Sequence, residues 1–389
     1  MPRLPFRSLV LLVAAPTLVL SAGHKFDTTL LDKDTLAKAR VGLLHSAVHS
    51  WELGAATQAL LEHSWPDLSV FNPDVFPLPA TLPDGYAGDV LDIAKLVVSR
   101  MGPNDTTLID GDGSSADPAS LGMAVMLTDL TLTDKSNHTF ADAAAKQLKH
   151  ILESVPRASN GAISHREKYV QLWADYMYMV PPFLSFAGAT QHNATLLKES
   201  YDQCKSYREI LRSDNGLWKH ILLGDWSDPL HWNTGNGWAA AGMMRVLKTI
   251  QYSSLSQRFV QEQRDLARWT QELAESAWKY QGANGTLFNV IDNSTWFPDT
   301  AGTAMMASAT YRLATHTGDY SLIPFAEKAF QLIKDSIDEE GRLLDTVDPL
   351  SFYEPLRPPM WSPEGQAFVL VLQAAKKEFL EKVKRGHHG

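Results

Sequence analysis

The sequence predicts an all-α fold, and two features of the chain carry this prediction. Apolar residues recur at helical spacing from one end of the chain to the other, whereas the alternation typical of strands is scarce. Cys204 is the only cysteine, so no internal disulfide can form and the fold must be held by its core. The composition, 44% hydrophobic and 20% charged over 389 residues, provides for such a core.

Amphipathic helices are predicted one after another along the chain. The third ends at Gly102 and Pro103, which stop a helix. The last has the clearest start, because Ser362 is suited to cap it and Pro363 and Glu364 suit its first turn. The predicted helices are 32–48, 53–63, 85–101, 117–130, 140–155, 196–211, 238–250, 257–280, 303–315, 323–337 and a final one from 362.

The first residues predict export. Arg3 and Arg7 precede an apolar run over 9–20, and small residues follow, which is the layout of a secretory signal peptide over residues 1–22. The run is short for a membrane span, although an uncleaved N-terminal anchor stays open as an alternative. Residues 23–389 contain no domain-sized linker and no low-complexity segment, so they are predicted to form a single domain.

Five Asn-x-Ser/Thr sequons agree with a secreted, extracellular protein that carries N-glycans on its surface. The asparagines are Asn104, Asn137, Asn193, Asn284 and Asn293. No other stretch is long and apolar enough to span a bilayer, so no membrane partner is expected after signal cleavage. The formal net charge of -9 argues against a nucleic-acid partner.

The run 171–183, which reads QLWADYMYMVPPF, places one carboxylate among aromatic and methionine side chains. Such an acid, here Asp175, either finds hydrogen-bond partners or has its pKa raised, which is how a protein makes a general acid. Pro181 and Pro182 interrupt a helix or begin a new one, so Asp175 is predicted at the end of a helix or in the loop before the next. The alternative is that Asp175 caps a helix and the aromatic residues are core.

Four loops place tryptophan or aspartate beside glycine and amide residues, near 110, over 215–238, over 294–304 and over 357–366. Flat apolar rings with polar neighbours are what a sugar site uses, because pyranose rings pack on aromatic faces and hydroxyls need polar partners. The alternative is that each tryptophan packs helices together. The number of such loops favours a carbohydrate site.

The string LWADYMYMVPPFL, a later W-x-x-x-x-G-W loop and the late SPEGQAFVL resemble the unsaturated glucuronyl and rhamnogalacturonyl hydrolases of glycoside hydrolase families 88 and 105. The resemblance extends from about Trp51 to Phe368 and, with the sequons, favours a secreted fungal member. It implies an (α/α)6 toroid of six helical hairpins, with the pocket made by loops at one end. The implied reaction removes a terminal unsaturated uronic acid from lyase-generated oligosaccharides by acid-catalysed hydration of the C4=C5 vinyl ether, with no cofactor and no metal.

The resemblance also assigns site residues. Asp175 matches the family's catalytic acid, and Asp117 in ADPASLG resembles its second active-site aspartate. His220 matches a histidine that contacts substrate. Trp232 and Trp238 match the tryptophans at the two ends of the W-x-x-x-x-G-W loop.

One position departs from the family pattern. Thr234 stands where members commonly have an arginine near the sugar carboxylate, and threonine cannot make the paired charged hydrogen bonds of a guanidinium. Cations in other loops could substitute for that arginine: Arg166, Lys168 and Arg357. His165 and Arg166 are the nearest candidates, and Trp173 is a further candidate for substrate binding.

Two other functions stay open at this point. An ordinary glycosidase would use Asp175 and Asp117 as acid and base on a saturated glycosidic bond, and the missing arginine favours this alternative because a fold does not fix a substrate. A non-catalytic secreted carbohydrate-binding protein is the second alternative. The presence of both aspartates counts against it.

Overall fold

Helices make up nearly all regular structure in the computed structural model, which describes residues 26–83, 85–134 and 136–386. The α-helices are α1 Lys33–Ser46, α2 Ser50–Ser64, α3 Gly88–Ser99, α4 Gly122–Asp129, α5 Thr139–Lys149, α6 Tyr176–Met179, α7 Pro181–Thr190, α8 Ala194–Leu211, α9 Asn233–Tyr252, α10 Val260–Trp278, α11 Thr300–Thr317, α12 Ile323–Asp335 and α13 Pro363–Gly386. The strands β1 Leu172–Trp173 and β2 Ile221–Leu222 form one antiparallel pair. The predicted all-α class is confirmed.

The helices form two concentric rings. In the inner ring each unit packs against the next, in the order α2, α4 with the turn before it, α6 with α7, α9, α11 and α13, and α13 returns to α2. Outer helices α1, α3, α5, α8, α10 and α12 pack against this ring. Inner helix α9 is buried on every side over 233–250, whereas α12 buries one face that includes Ile323, Ala326 and Phe330. This is the predicted (α/α)6 toroid.

Helix α9 begins five residues before the predicted start at Trp238, at Asn233. The segment NTGNG has low helix propensity because of its glycines, but tight packing between inner helices outweighs that preference. A Cβ on Gly242 would lie 2.0 Å from the carbonyl oxygen of Met177, so only glycine allows α9 to approach α6 this closely.

A buried ionic cluster joins the inner helices farther along their length. The carboxylate of Glu62 in α2 accepts hydrogen bonds from Arg245 in α9 and from Arg312 in α11. Arg312 also pairs with Glu378 in α13. A buried charge without its partner is strongly destabilising, so these pairs fix the relative positions of four inner helices.

The predicted signal peptide over 1–22 lies outside the described residues, and the single domain over 23–389 stays a prediction. In the described part of the chain, no helix is both long enough and apolar enough to cross a bilayer. The asparagines of four sequons are exposed, at Asn104, Asn137, Asn284 and Asn293. Asn193 is partly buried, and its side chain caps α8.

Candidate active site

One pocket lies where the N-terminal ends of the inner units converge. It encloses roughly 870 Å³, its open mouth included. A helix N-terminus carries partial positive charge, so this end of the ring favours an anionic ligand. Each inner unit supplies to the wall a residue from its first turn or, for Asp175, from the position just before it: Trp51, Asp117, Asp175, Thr234, Ala301 and Glu364.

Asp117 begins the 3-10 turn Asp117–Leu121, which leads directly into α4. Its side chain is almost buried, with 12% of its surface exposed. Burial raises the pKa of Asp117 to about 7, and the negative charge of Asp175 adds to the rise, while Ser114 and Arg166 oppose it. A carboxyl group with such a pKa can hold or release a proton near neutral pH.

The pairing of β1 with β2 fixes the position of Asp175. Trp173 pairs with Ile221, and the amide of Ala174 donates to the carbonyl of His220 at 2.9 Å. The chain then turns into α6, and Asp175 occupies the position just before that helix. This is one of the two positions predicted for it.

A row of three side chains lies behind Asp175. His220 places Nε2 3.5 Å from the Asp175 Oδ2 and Nδ1 2.7 Å from the Asp228 Oδ2. The Tyr353 hydroxyl donates to the same Asp228 oxygen. Burial alone would lower the pKa of His220, but its contacts with Asp175 and Asp228 raise it above its ordinary value. His220 is fully buried and is not part of the pocket wall, so its predicted contact with substrate stays a prediction.

His165 and Trp173 form one side of the pocket, with their rings stacked 4.6 Å apart. The His165 Nε2 lies 3.9 Å from the Asp117 Oδ1. Burial lowers the pKa of His165 to about 3, so the ring is neutral near pH 7. A neutral imidazole beside Asp117 can donate or accept one hydrogen bond without adding charge.

Arg166 is the cation in the pocket wall. Its guanidinium lies 5.9 Å from the centre of the Trp173 ring, and Nη2 donates to the carbonyl of Asp112 at 3.1 Å. Lys168 and Arg357, the other predicted cation candidates, do not line the pocket. Of the three cations proposed to replace the family's arginine, Arg166 is therefore the one that lies in the pocket with Asp117 and Asp175.

Thr234, Trp232 and Trp238 all line the pocket, and their contact with substrate stays a prediction. The Thr234 hydroxyl donates to the Asp299 Oδ2 at 2.8 Å, and Asp299 caps α11. Burial raises the pKa of Asp299 to about 6. The Trp232 Nε1 donates to the side chain of Asn289 at 3.0 Å, so this N–H is already paired within the protein.

Several residues of the site were not predicted. Asp228 lies in GDWSDPLHW, a loop that the sequence did single out, but nothing there distinguishes it from Asp225. Phe352 and Tyr353 come from the loop between α12 and α13, ahead of the stretch 357–366 that the sequence singled out, and their own stretch gave no signal. Phe352 lines the pocket with a φ of 65°, a conformation rare for a bulky side chain and often found at functional sites.

No group of three or more His, Cys, Asp or Glu side chains in residues 26–83, 85–134 and 136–386 is arranged to hold a metal ion. Asp117 and Asp175, the neutral His165 and Arg166 lie among aromatic rings at one end of an (α/α)6 toroid. This combination defines a carbohydrate-active hydrolase.

Comparison with known proteins gives the family. Residues 92–377 match Glycosyl Hydrolase Family 88, and the chain belongs to this family of glycoside hydrolases. The unsaturated rhamnogalacturonyl hydrolase YesR of Bacillus subtilis is 21% identical over 220 residues, which are 52% of this chain and 59% of that protein. The match thus spans less than two thirds of the relative's length.

Solved structures share the fold. A Klebsiella pneumoniae protein described as a possible member of family GH105 has a TM-score of 0.72 at 15% identity, over 92% of this chain and 96% of that one. The unsaturated glucuronyl hydrolase of Bacillus sp. GL1 has a TM-score of 0.61 at 12% identity, over 91% and 96%. The predicted resemblance to families 88 and 105 is confirmed.

Proposed function

We propose that this protein removes a terminal unsaturated uronic acid from oligosaccharides by hydrating its C4=C5 double bond. The observation that carries the proposal is that Asp175 and Asp117 line the same pocket as Arg166 and lie close enough for the charge of Asp175 to act on Asp117. The pocket is built from helix N-termini. The carboxyl groups supply proton transfer and the positive groups suit a uronic acid carboxylate. The names of YesR and of the Bacillus sp. GL1 enzyme, both unsaturated uronyl hydrolases, support this substrate class.

In this mechanism Asp175 transfers a proton to C4 of the vinyl ether, which leaves an oxocarbenium-like centre at C5. The Asp175 carboxylate then takes a proton from a water molecule as the water oxygen bonds to C5. The resulting hemiketal opens and releases the neighbouring sugar, and Asp175 is again protonated. One group acts first as acid and then as base, so no separate nucleophile is needed.

The other polar groups prepare this step. Asp117, with its pKa of about 7, hydrogen-bonds the attacking water or a sugar hydroxyl. His220 lies against Asp175 from behind, and Asp228 accepts a hydrogen bond from the Nδ1 of that ring. The Asp228 charge thereby holds His220 in one orientation and stabilises a proton on its Nε2, next to Asp175. Asp228 is a positioning residue rather than a group that contacts substrate.

We expect Asp228→Asn to lower kcat by about tenfold or more, since a hydrogen bond to a charged group is worth about 1.5–3 kcal/mol. The pKa of His220 should fall in this variant because asparagine carries no charge to balance the imidazolium. The kcat–pH profile and an NMR titration of the histidines measure both effects. Asp292→Asn is the control, because Asp292 makes a 2.7 Å contact with His231 outside the pocket wall. Equal kcat values for the two variants would contradict the positioning role.

In this proposal Arg166 binds the carboxylate of the substrate, in place of the arginine that family members commonly have at the position of Thr234. Thr234 cannot do so, because it lacks a positive charge and its hydroxyl donates to Asp299. Among the described residues the Arg166 guanidinium makes one hydrogen bond, through Nη2, and a guanidinium has five N–H groups. Its remaining donors can therefore pair with a carboxylate held over Trp173.

Arg166→Leu should raise KM about 10- to 100-fold with a smaller change in kcat, since the lost contact is a charge-assisted hydrogen bond. Arg166→Lys should fall between the Arg166→Leu variant and the native protein, because lysine keeps the charge but not the planar donor pair. Steady-state kinetics on an unsaturated uronyl disaccharide measures this. Lys168→Leu is the control, because Lys168 is a nearby cation outside the pocket wall. An unchanged KM in Arg166→Leu would exclude this residue as the carboxylate partner.

The function itself is tested by following the ultraviolet absorbance of the conjugated double bond while the purified protein acts on a panel of lyase-generated oligosaccharides. Loss of absorbance supports the hydration reaction. Unchanged absorbance together with reducing sugar released from saturated oligosaccharides would establish the ordinary glycosidase instead. Thr234, in place of the family's usual arginine, is the observation that favours this second candidate.

Secretion belongs to the same proposal. The apolar N-terminal run and the sequons agree with an exported glycoprotein, and exposure of four sequon asparagines leaves room for glycans. An extracellular enzyme of this kind would act on fragments that polysaccharide lyases release outside the cell. Glycosidase treatment of the expressed protein, followed by mass measurement, tests the glycans directly.

A further inference from the structure

A further carboxyl group lies in the pocket wall, on the side of the ring opposite Asp175. Glu364 is the second residue of α13. In the order of the inner ring, α13 is three positions from the unit of α6 and α7 in either direction, so Glu364 faces Asp175 across the pocket. The hydration mechanism gives Glu364 no role.

The two oxygens of Glu364 have different surroundings. Oε1 accepts a hydrogen bond from the Trp51 Nε1 at 2.5 Å, and Trp51 also lines the pocket. Oε2 has no hydrogen-bond partner among the described residues, although only 3% of Glu364 is exposed. An unpaired buried polar atom is costly, and such atoms at a ligand pocket are candidates for ligand contact.

The charges that face Glu364 are negative. Glu52 of α2 and Asp348 of the loop between α12 and α13 both act on it. Burial raises the pKa of Glu364 to about 8, with Glu52 adding to the rise and the Trp51 hydrogen bond opposing it. Glu52 is itself committed to capping α2, where its Oε2 accepts from the amides of Val48 and His49.

We propose that Glu364 binds the substrate as a neutral carboxylic acid, with Oε2 donating a hydrogen bond to a sugar hydroxyl while Trp51 holds Oε1. This rests on the proposed function, since it assigns a further residue of the same pocket. A neutral acid can donate where a carboxylate cannot. It also adds no negative charge to a site that must accept an anionic sugar beside Asp117 and Asp175.

The sign of the pH dependence follows from this. Below pH 8 Glu364 carries its proton and donates to the substrate. As the pH rises through 8 the group ionises, the donor is lost and a negative charge faces the uronate, so KM rises. The native protein should therefore show a KM that increases on the alkaline side.

The test compares KM as a function of pH for the native protein and three variants. Glu364→Gln keeps an acceptor for Trp51 and a permanent N–H donor, so its KM should match the native value at pH 6 and stay flat above pH 8. Glu364→Leu removes the donor and cannot ionise, so its KM should lie roughly three- to tenfold above the native value below pH 8 and should show no further rise above pH 8. Glu327→Gln is the control, because the pKa of the half-buried Glu327 is also raised but this residue lies on outer helix α12, outside the pocket wall. Its KM profile should match the native one.

The outcomes separate the two proposals. An active native protein whose KM profile is unaltered in both Glu364 variants would overturn the role of Glu364 and leave the function intact. That role is also overturned if the KM of Glu364→Gln at pH 6 rises as much as that of Glu364→Leu. The melting temperature of Glu364→Gln checks that this variant is folded. A native protein that consumes no unsaturated substrate would instead contradict the function, and the role of Glu364 with it.

Discussion

Asp175→Asn is expected to lower kcat by about a thousandfold, within the range of about 10²–10⁴ that general acid–base catalysis contributes. Asparagine has nearly the same shape but cannot deliver a proton to C4 or take one from water. Because the same group acts in both half-steps of the proposed reaction, no other step can bypass it. The rate of absorbance loss on an unsaturated disaccharide measures the effect.

Binding should survive this substitution, because the carboxylate partner of the substrate is Arg166 and the aromatic walls are unchanged. Quenching of tryptophan fluorescence can report binding, since Trp173 and Trp232 line the pocket. Asp225→Asn is the matched control: Asp225 is an exposed aspartate outside the pocket wall, and its loss should leave kcat unchanged. If Asp175→Asn retained native turnover, the acid would have to be another group, with Asp117 the first candidate. If it lost binding instead, a binding role for Asp175 would be favoured.

The fold and the central acid were predictable because their signals are local in sequence. Helical periodicity is read within a window of a few turns, and Asp175 stands out because it is an acid inside an apolar run that ends in two prolines. The prolines begin a new helix, which is one of the two roles the sequence suggested, since α7 starts at Pro181 one residue after the end of α6. Local chemistry and tertiary structure agree at this point.

The long-range contacts around the acidic groups of the pocket were not predictable, because they form only when the ring of helices closes. Tyr353 reaches Asp228 across 125 positions of sequence, and Trp51 reaches Glu364 across 313. Neither contact leaves a local pattern, since each partner alone is an ordinary loop or helix-end residue. The early start of α9 has a similar cause, because neighbouring inner helices decide it rather than the propensity of NTGNG.

Asp117→Asn is expected to lower kcat and at the same time to stabilise the fold near neutral pH. The pKa of Asp117 is about 7 in the folded protein, against about 3.9 in an unfolded chain. Between these values the folded state binds more protons, so its stability falls as the pH rises from about 4 to 7. Asparagine has no proton to lose, so the variant escapes this cost, which is at most about 4 kcal/mol for a shift of roughly three units.

Melting temperatures of the native protein and Asp117→Asn should therefore coincide near pH 4 and separate as the pH rises to 7, with the variant melting higher. Other buried acids with raised pKa values, such as Asp299 and Glu364, are present in both proteins and cancel in the comparison. If the full difference in melting temperature were already present at pH 4, the effect would come from packing rather than from ionisation. A native protein that is more stable at every pH would mean that the carboxylate of Asp117 is well paired, contrary to its burial beside Asp175. The expected result makes the second aspartate a group kept for function at a cost in stability, since the negative charge of Asp175 is part of what raises its pKa.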